Sequence, residues 1–317
     1  ALSSAASDVY KRQVVYLYIN KYHSKLNMGK KQYLYQVSID ALEITYIMSD
    51  EMKNFLSSDD STYYLGEKKE IILKRSESRY YKNEFIIWCK DWNENRGNYN
   101  RIVGYMRFGS FNPNRQNVYI TYDNEALYSW LVSARYYLEE ALDLEFLQIS
   151  KFDIAIDFNF NVEKHLIRQY KDDSYDLIVN GYKADNKKVY GVGFLSWWNP
   201  RHRIFANPQM IVKNDKSTLT MKTYNKKKEI EQESGKYYIQ QKNGFNSVMY
   251  RVEITCKNHK LLKKTLDALG ISDEYLYVHL DDENVLLTVF SHLLDRVIHL
   301  RKNRKPINIL DEALKGL

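Results

Sequence analysis

The sequence predicts an α+β protein: a large, mostly antiparallel β-sheet core with few helices, then a helical C-terminal part. Three observations carry this. Apolar and polar residues alternate at period two through much of the first 124 residues, as in KQYLYQVSI, EKKEIILKR and RYYKNEFIIWC. Tyr, Ile, Val and Phe supply the strand propensity in these runs. Helical spacing of apolar residues then appears in EALYSWLVSARYYLEEALD and returns from Asn258 onward, in HKLLKKTLDALG and NVLLTVFSHLLDRVIHLRK.

Element by element, strands are expected over 14–48, 67–75 and 79–89. The polar segment KDWNENRGNYN is expected as a loop before the strands RIVGYMRFGS and QNVYITYD. One uninterrupted helix is expected over 125–143, since it holds no Gly or Pro. FLQISKFDIAIDFNF reads as a long strand and NVEKHLIRQYKDD as a helix capped by Asn161. Further strands are expected in KKVYGVGFLSWW, RIFANPQMIVKN, STLTMKTYNKK and SVMYRVEITCKN. The helix starting after Asn258 is expected to stop at Gly270. No internal repeat of short period occurs. The expected organisation is 1–13 as non-native sequence, 14–257 as one domain and 258–317 as a helical C-terminal part.

The first of these segments, ALSSAASDVYKRQ, has no apolar stretch of a secretory signal. SDVYKRQ is what a common sequencing-library transposon end yields on translation, so read-through is expected here. Uniform native read coverage across the junction would overturn that.

Composition narrows the class. The 317 residues carry 47 Lys+Arg against 40 Asp+Glu, and 27% are charged with 44% apolar, ordinary values for a globular chain. No apolar run is long enough to span a membrane. Two cysteines, Cys89 and Cys256, cannot make a disulfide framework, so a reducing compartment is expected. The charge is not evenly spread. Residues 201–230 hold Arg201, Arg203, Lys213, Lys216, Lys222, Lys226, Lys227 and Lys228 against Asp215 and Glu229. Arg296, Arg301, Lys302, Arg304 and Lys305 make a second cluster. Clustered basic charge is the footprint of a polyphosphate partner, and it is also what a solvated face looks like.

Three strands carry polar groups where a core strand would not. In KFDIAIDF, alternation puts Asp153 and Asp157 on one face, with Phe152, Ile154, Ile156 and Phe158 on the other. Carboxylates about 7 Å apart repel unless a cation or a Lys/Arg lies between them. Mg2+ or Mn2+ takes such oxygen ligands, while a solvent-facing strand with two ordinary acids fits the pattern as well. In MYRVEITCK, Arg251, Glu253 and Thr255 share one face, so Glu253 is either a site carboxylate or half of a cross-strand ion pair. In TLTMKTYNKKKEIE, Thr220, Lys222 and Tyr224 share a face just before Lys226, Lys227 and Lys228. A Tyr in a positive field has a lowered phenol pKa and gathers phosphate oxygens, and a tyrosinate is a competent nucleophile. With 28 tyrosines, a structural Tyr beside a Lys is the ordinary alternative.

Rival signals are weaker. The seven histidines are scattered, and no HExxH or CxxC occurs, so zinc is not expected. Tyr136–Tyr137 reads as one core and one flank residue; Tyr237–Tyr238 has the single Lys236 beside it and lacks a lysine run like that after Tyr224. Trp88, Trp92, Trp197 and Trp198 are candidates for stacking on bases. GVG at 191–193 lacks the Lys and Ser/Thr of a nucleotide-binding loop.

Taken in order, SIDALEITY, KFDIAID, YNKKKE and RVEI resemble the rolling-circle replication initiators and integrative-element relaxases of the Rep_trans (replication initiation factor) family. The resemblance spans roughly residues 36–258; filamentous-phage initiators are a close relative reading. It implies that Tyr224 nicks one DNA strand at an origin and keeps the 5′ phosphate. It implies a metal set of Asp153, Asp157 and Glu253 holding Mg2+ or Mn2+. Lys226, Lys227 and Lys228, with Lys222 and Arg251, are then expected to contact DNA phosphates. Lys151-Phe152 stand where an Arg commonly precedes the acid, which leaves that role unassigned. Origin DNA, double- and single-stranded, is the implied partner, with a helicase and a homodimer as further expectations. A bacterial cytoplasmic setting follows. A non-catalytic origin-binding protein, or a basic RNA-binding protein, is the rival from another class.

Overall fold

The structure is a computed structural model that describes residues 34–67, 70–93, 97–170, 172, 174–179, 181–183, 210–213 and 218–315. The segment 1–13 and Trp197, Trp198, Arg201, Arg203 and Lys216 therefore lie outside the described residues. The chain forms two compact units, one of residues 39–152 and the other of the remainder. The class is α+β, as expected, with antiparallel sheet dominating and helices concentrated toward the C-terminus.

In the 39–152 unit, strands β1 (Tyr35–Met48), β2 (Thr62–Leu65), β3 (Ile71–Ser76), β4 (Tyr81–Asn93), β5 (Gly97–Ser110) and β6 (Val118–Tyr122) pair in the order β1-β6-β5-β4-β3-β2, antiparallel throughout. The alternation read from the sequence becomes one buried face: Leu42, Ile44, Tyr46, Ile71, Leu73, Phe85, Ile87 and Met106 have almost no exposure. Phe85 stacks on Phe108 at 6.2 Å and meets Tyr63 edge-on at 5.7 Å. Opposite a register shift at Ile87/Trp88 lies Gly104, where a Cβ would sit 2.2 Å from the Thr121 carbonyl oxygen. Only glycine permits that backbone approach.

Three expectations here are corrected. KDWNENRGNYN is mainly ladder rather than loop, because β4 and β5 pair on out to Asn93↔Gly97. A hairpin ladder is made of backbone bonds, so polar side chains do not end it. The 125–143 helix is two helices, α1 (Asp50–Leu56) being followed by α2 (Asn124–Ser129) and α3 (Leu131–Leu142), with a break at Trp130 (φ −159°). Ser129 Oγ donates to the Glu125 carbonyl, a back-bond that bends helices. Tyr136 and Tyr137 are both exposed, not one core and one flank.

The second unit holds part of β7 (Leu144–Phe158), then α4 (Val162–Tyr170), whose Lys164 N–H is capped by Asn161 Oδ1 at 3.2 Å as expected. Strands β8 (Asp176–Val179), β9 (Tyr182–Lys183), β10 (Met210–Lys213) and β11 (Leu219–Asn225) follow. The lysine run forms α5 (Lys226–Glu229), which widens into an i→i+5 turn closed by Gly235 N–H to Ile230 O at 2.9 Å. After α6 (Tyr237–Asn243) comes β12 (Tyr250–Cys256), and β10-β11-β12-β7 are neighbours in that order. Helices α7 (His259–Leu269), α8 (Asp273–Val278) and α9 (Glu283–Val297) lead to β13 (Ile298–Lys302), β14 (Lys305–Ile307) and α10 (Ile309–Leu314). Gly270 ends α7 in the left-handed conformation, as expected. The last helix was expected to run on through IHLRK. It stops at Val297, because Ile298 and Leu300 alternate into a small antiparallel sheet, β14-β13-β8-β9, and are fully buried there. Arg301 and Lys302 therefore lie on a strand, not a helix end.

Among the described residues, no helix is long and apolar enough to cross a membrane. On α9, burial and the nearby Asp311 push the Asp295 carboxyl up to about 7, while Asn308 Nδ2 donates to it at 2.7 Å. A carboxyl raised in the folded state stabilises fully below its unfolded pKa and loses that contribution as pH rises through about 7. Thermal unfolding from pH 5 to 8 is expected to show this loss in the wild type and a flatter profile in Asp295→Asn.

Candidate functional site: Tyr224, Glu253 and the lysine junction

The site is built on two adjacent strands. In the β11–β12 ladder, Thr220 faces Thr255, Lys222 faces Glu253 and Tyr224 faces Arg251. Directly opposed residues share a face of the sheet, so these six polar side chains stand together, as alternation predicts. Val252 and Ile254 project to the other face and are fully buried, as are Ile154 and Ile156 of β7.

Glu253 is the hub. Tyr224 Oη donates to its Oε2 at 2.8 Å. Lys222 Nζ donates to its Oε1 at 3.1 Å, and Thr255 Oγ1 approaches the same oxygen at 3.5 Å. Glu253 is buried while the Lys222 side chain is 39% exposed, so the carboxylate is held inside and its cation reaches solvent. The cross-strand ion pair offered as the ordinary reading of Glu253 is present, and it includes the tyrosine.

Arg251 and Asp157 are brought together in a different way from the sequence reading. Arg251 Nε meets Asp157 Oδ1 and Nη2 meets Oδ2, each at 2.7 Å, with both side chains at 0% exposure. Asn243 Nδ2, from the last residue of α6, adds a bond to Asp157 Oδ2 at 2.8 Å. Asp157 was expected as a metal ligand and Arg251 as a phosphate contact; each instead occupies the other. The ordinary reading of the KFDIAIDF strand, two acids facing solvent, does not form: Asp153 and Asp157 are both buried, and an Arg meets Asp157. Asp153 is buried on the same face of β7 as Asp157. Its charge helps raise the Cys256 thiol, which burial raises most. Among the described residues, no group of three His, Cys, Asp or Glu side chains is placed to hold a metal ion. Asp153, Asp157 and Glu253 thus do not form one ligand set in this arrangement.

The lysines divide by partner. Lys226 is buried, lies 2.7 Å from Glu229 Oε2, and sits 5.7 Å from the Tyr224 ring centroid. Its closeness to Glu229 is an ion pair without hydrogen-bond alignment. Lys227 pairs with Glu231. Lys228 is half-buried and makes no ion pair among the described residues. Asn225 Oδ1 accepts from the Lys228 N–H at 3.0 Å, and Lys227 N–H donates to Met249 O at 3.1 Å, which fixes the strand-to-helix junction beside Tyr224.

Asn243 is the residue that sequence reasoning missed. Nothing in GKYYIQQKN marks it, because its role depends on where α6 is laid. The rival Tyr237 is 49% exposed on that helix. Trp88 lies on β4 under Lys74 Nζ at 5.1 Å. No family model matches the chain, and a search of curated proteins found no match.

Leaving either charge of the buried pair alone is costly. Arg251→Met is expected to destabilise by about 3–5 kcal/mol, and Arg251→Met with Asp157→Leu by much less. Urea unfolding of the single and double variants checks both values.

Proposed function

We propose that this chain is a DNA-nicking and strand-joining replication initiator of the rolling-circle type, with Tyr224 as the nucleophile. The supporting observation is the Tyr224 Oη to Glu253 Oε2 hydrogen bond of 2.8 Å, beside the Lys222 ammonium and the lysine junction. A carboxylate bonded to a phenol is a base already in place for it.

In this reading, Glu253 accepts the phenol proton as Tyr224 Oη attacks phosphorus at the origin. The P–O3′ bond breaks, and the 3′ oxygen leaves as a hydroxyl after taking a proton. The 5′ phosphate stays on Tyr224 as a phosphodiester, so rejoining requires no ATP. Lys222 and Lys228 offset the charge that develops on the phosphoryl oxygens. Mg2+ or Mn2+ belongs to the reading through the resemblance alone. With Asp157 held by Arg251, no step is assigned to an ion.

A second reading, a non-catalytic origin-binding protein, is favoured by α7, where Lys260, Lys263 and Lys264 are all exposed. A supercoiled plasmid bearing the cognate origin separates the two. With Mg2+ or Mn2+ present, relaxation and a covalent protein–DNA adduct are expected. Tyr224→Phe should lose the adduct altogether, and Glu253→Gln should slow nicking about 100-fold or more. Adduct formation by Tyr224→Phe would overturn the assignment of the nucleophile; binding without nicking by the wild type would favour the second reading.

A further inference from the structure

A concave surface in the 39–152 unit carries chemistry that the Tyr224 site does not use. The β4–β5 ladder closes at Tyr81↔Ser110, and one residue beyond, Phe111 N–H donates to Tyr80 O at 3.2 Å. The loop that follows is folded on itself. Arg115 N–H donates to Asn112 O at 3.0 Å, Asn114 N–H to Asn112 Oδ1 at 3.0 Å, and Gln116 Nε2 to Asn112 O at 3.2 Å. Between these segments lies a cavity of about 480 Å³, within the range of small-ligand sites. Arg79, Tyr80, Tyr81, Arg107, Phe111 and Arg115 line it.

Its charge is positive. Three arginines face one lining carboxylate, Glu43, which accepts from Thr121 Oγ1 at 3.1 Å. Arg107 lies 3.0 Å from Glu84. Arg79 and Arg115 are exposed and make no ion pair among the described residues. Tyr80 and Phe111 are 74% and 64% exposed, among the most exposed large rings in the described chain. Guanidinium groups beside open aromatic planes match a nucleotide, with phosphate on the cations and the base on a ring. An acidic peptide would use the arginines and leave the rings idle. A duplex keeps its bases stacked on each other, so the rings call for an unpaired strand.

We propose that this cavity binds single-stranded DNA, with Arg79 and Arg115 on backbone phosphates and unpaired bases stacked on Tyr80 and Phe111. The choice of DNA over RNA rests on the proposed nicking function; the single-strand site itself does not. The test is fluorescence anisotropy of the full chain with a short fluorescein-labelled oligothymidylate, a matching duplex and a matching RNA. Tyr80→Ala/Phe111→Ala is expected to weaken single-strand binding about tenfold or more. Arg79→Ala/Arg115→Ala is expected to make the salt slope of log K shallower by about 1.4. Oligothymidylate carries no origin to nick, and nicking of the origin plasmid is assayed apart, so loss of nicking and loss of this site read out separately. The four substituted side chains are exposed, and unchanged thermal midpoints would show intact folding. Wild-type affinity in both double variants would overturn the proposal. Equal loss on the duplex would overturn its single-strand character, and equal or tighter binding of RNA would overturn the choice of DNA.

Discussion

Arg251 and Asp157, both without solvent exposure, hold each other through two bonds of 2.7 Å, and the polar face of β11 and β12 is arranged around that pair. Taking either charge out of water alone would be prohibitive, and the forked geometry answers it only when both partners are in place. Arg251 stands directly opposite Tyr224 in the ladder. Clamping it to β7 therefore sets where β12 lies, and with it the position of Glu253 two residues on. Asn243 extends the clamp to α6, so the helix that follows the lysine junction is tied to the same carboxylate.

The electrostatics of Tyr224 follow from that placement. A buried Glu253 gathers the phenol, an ammonium and a threonine hydroxyl, and the ammonium compensates its charge. Of the lysines beside it, Lys226 and Lys227 are committed to Glu229 and Glu231, and Lys226 also packs against the tyrosine ring. The basic run is thus partly structural. It holds the turn from β11 into α5, while Lys222 is committed to Glu253 and Lys228 makes no ion pair among the described residues. An i→i+5 turn directly follows, a distortion that recurs at functional sites.

Departures from the sequence pattern have more than one cause. Where a segment's fate depends on a partner distant in the chain, local pattern misplaces it. Ile298 and Leu300 look helical after α9 and become strand because β8, from residues 176–179, is there to pair with. Polar residues near Asn93 and Gly97 look like loop and become ladder because each strand supplies the other's backbone partners. Trp130 breaks a helix whose apolar spacing continues unbroken through it.

Local physics alone decided the α+β class, the strand alternation, the Asn161 cap, the Gly270 stop and the shared face of Thr220, Lys222 and Tyr224. These depend on periods of two and 3.6 residues and on backbone preferences of single residues, all readable along the chain. Tertiary structure decided which charge meets which. From the sequence, Asp157 was an acid needing some cation and Glu253 an acid needing some partner. The fold gave Arg251 to the first and Tyr224 with Lys222 to the second, because the energy of a charge pair depends on distance and burial, which strand pairing sets and spacing along the chain does not.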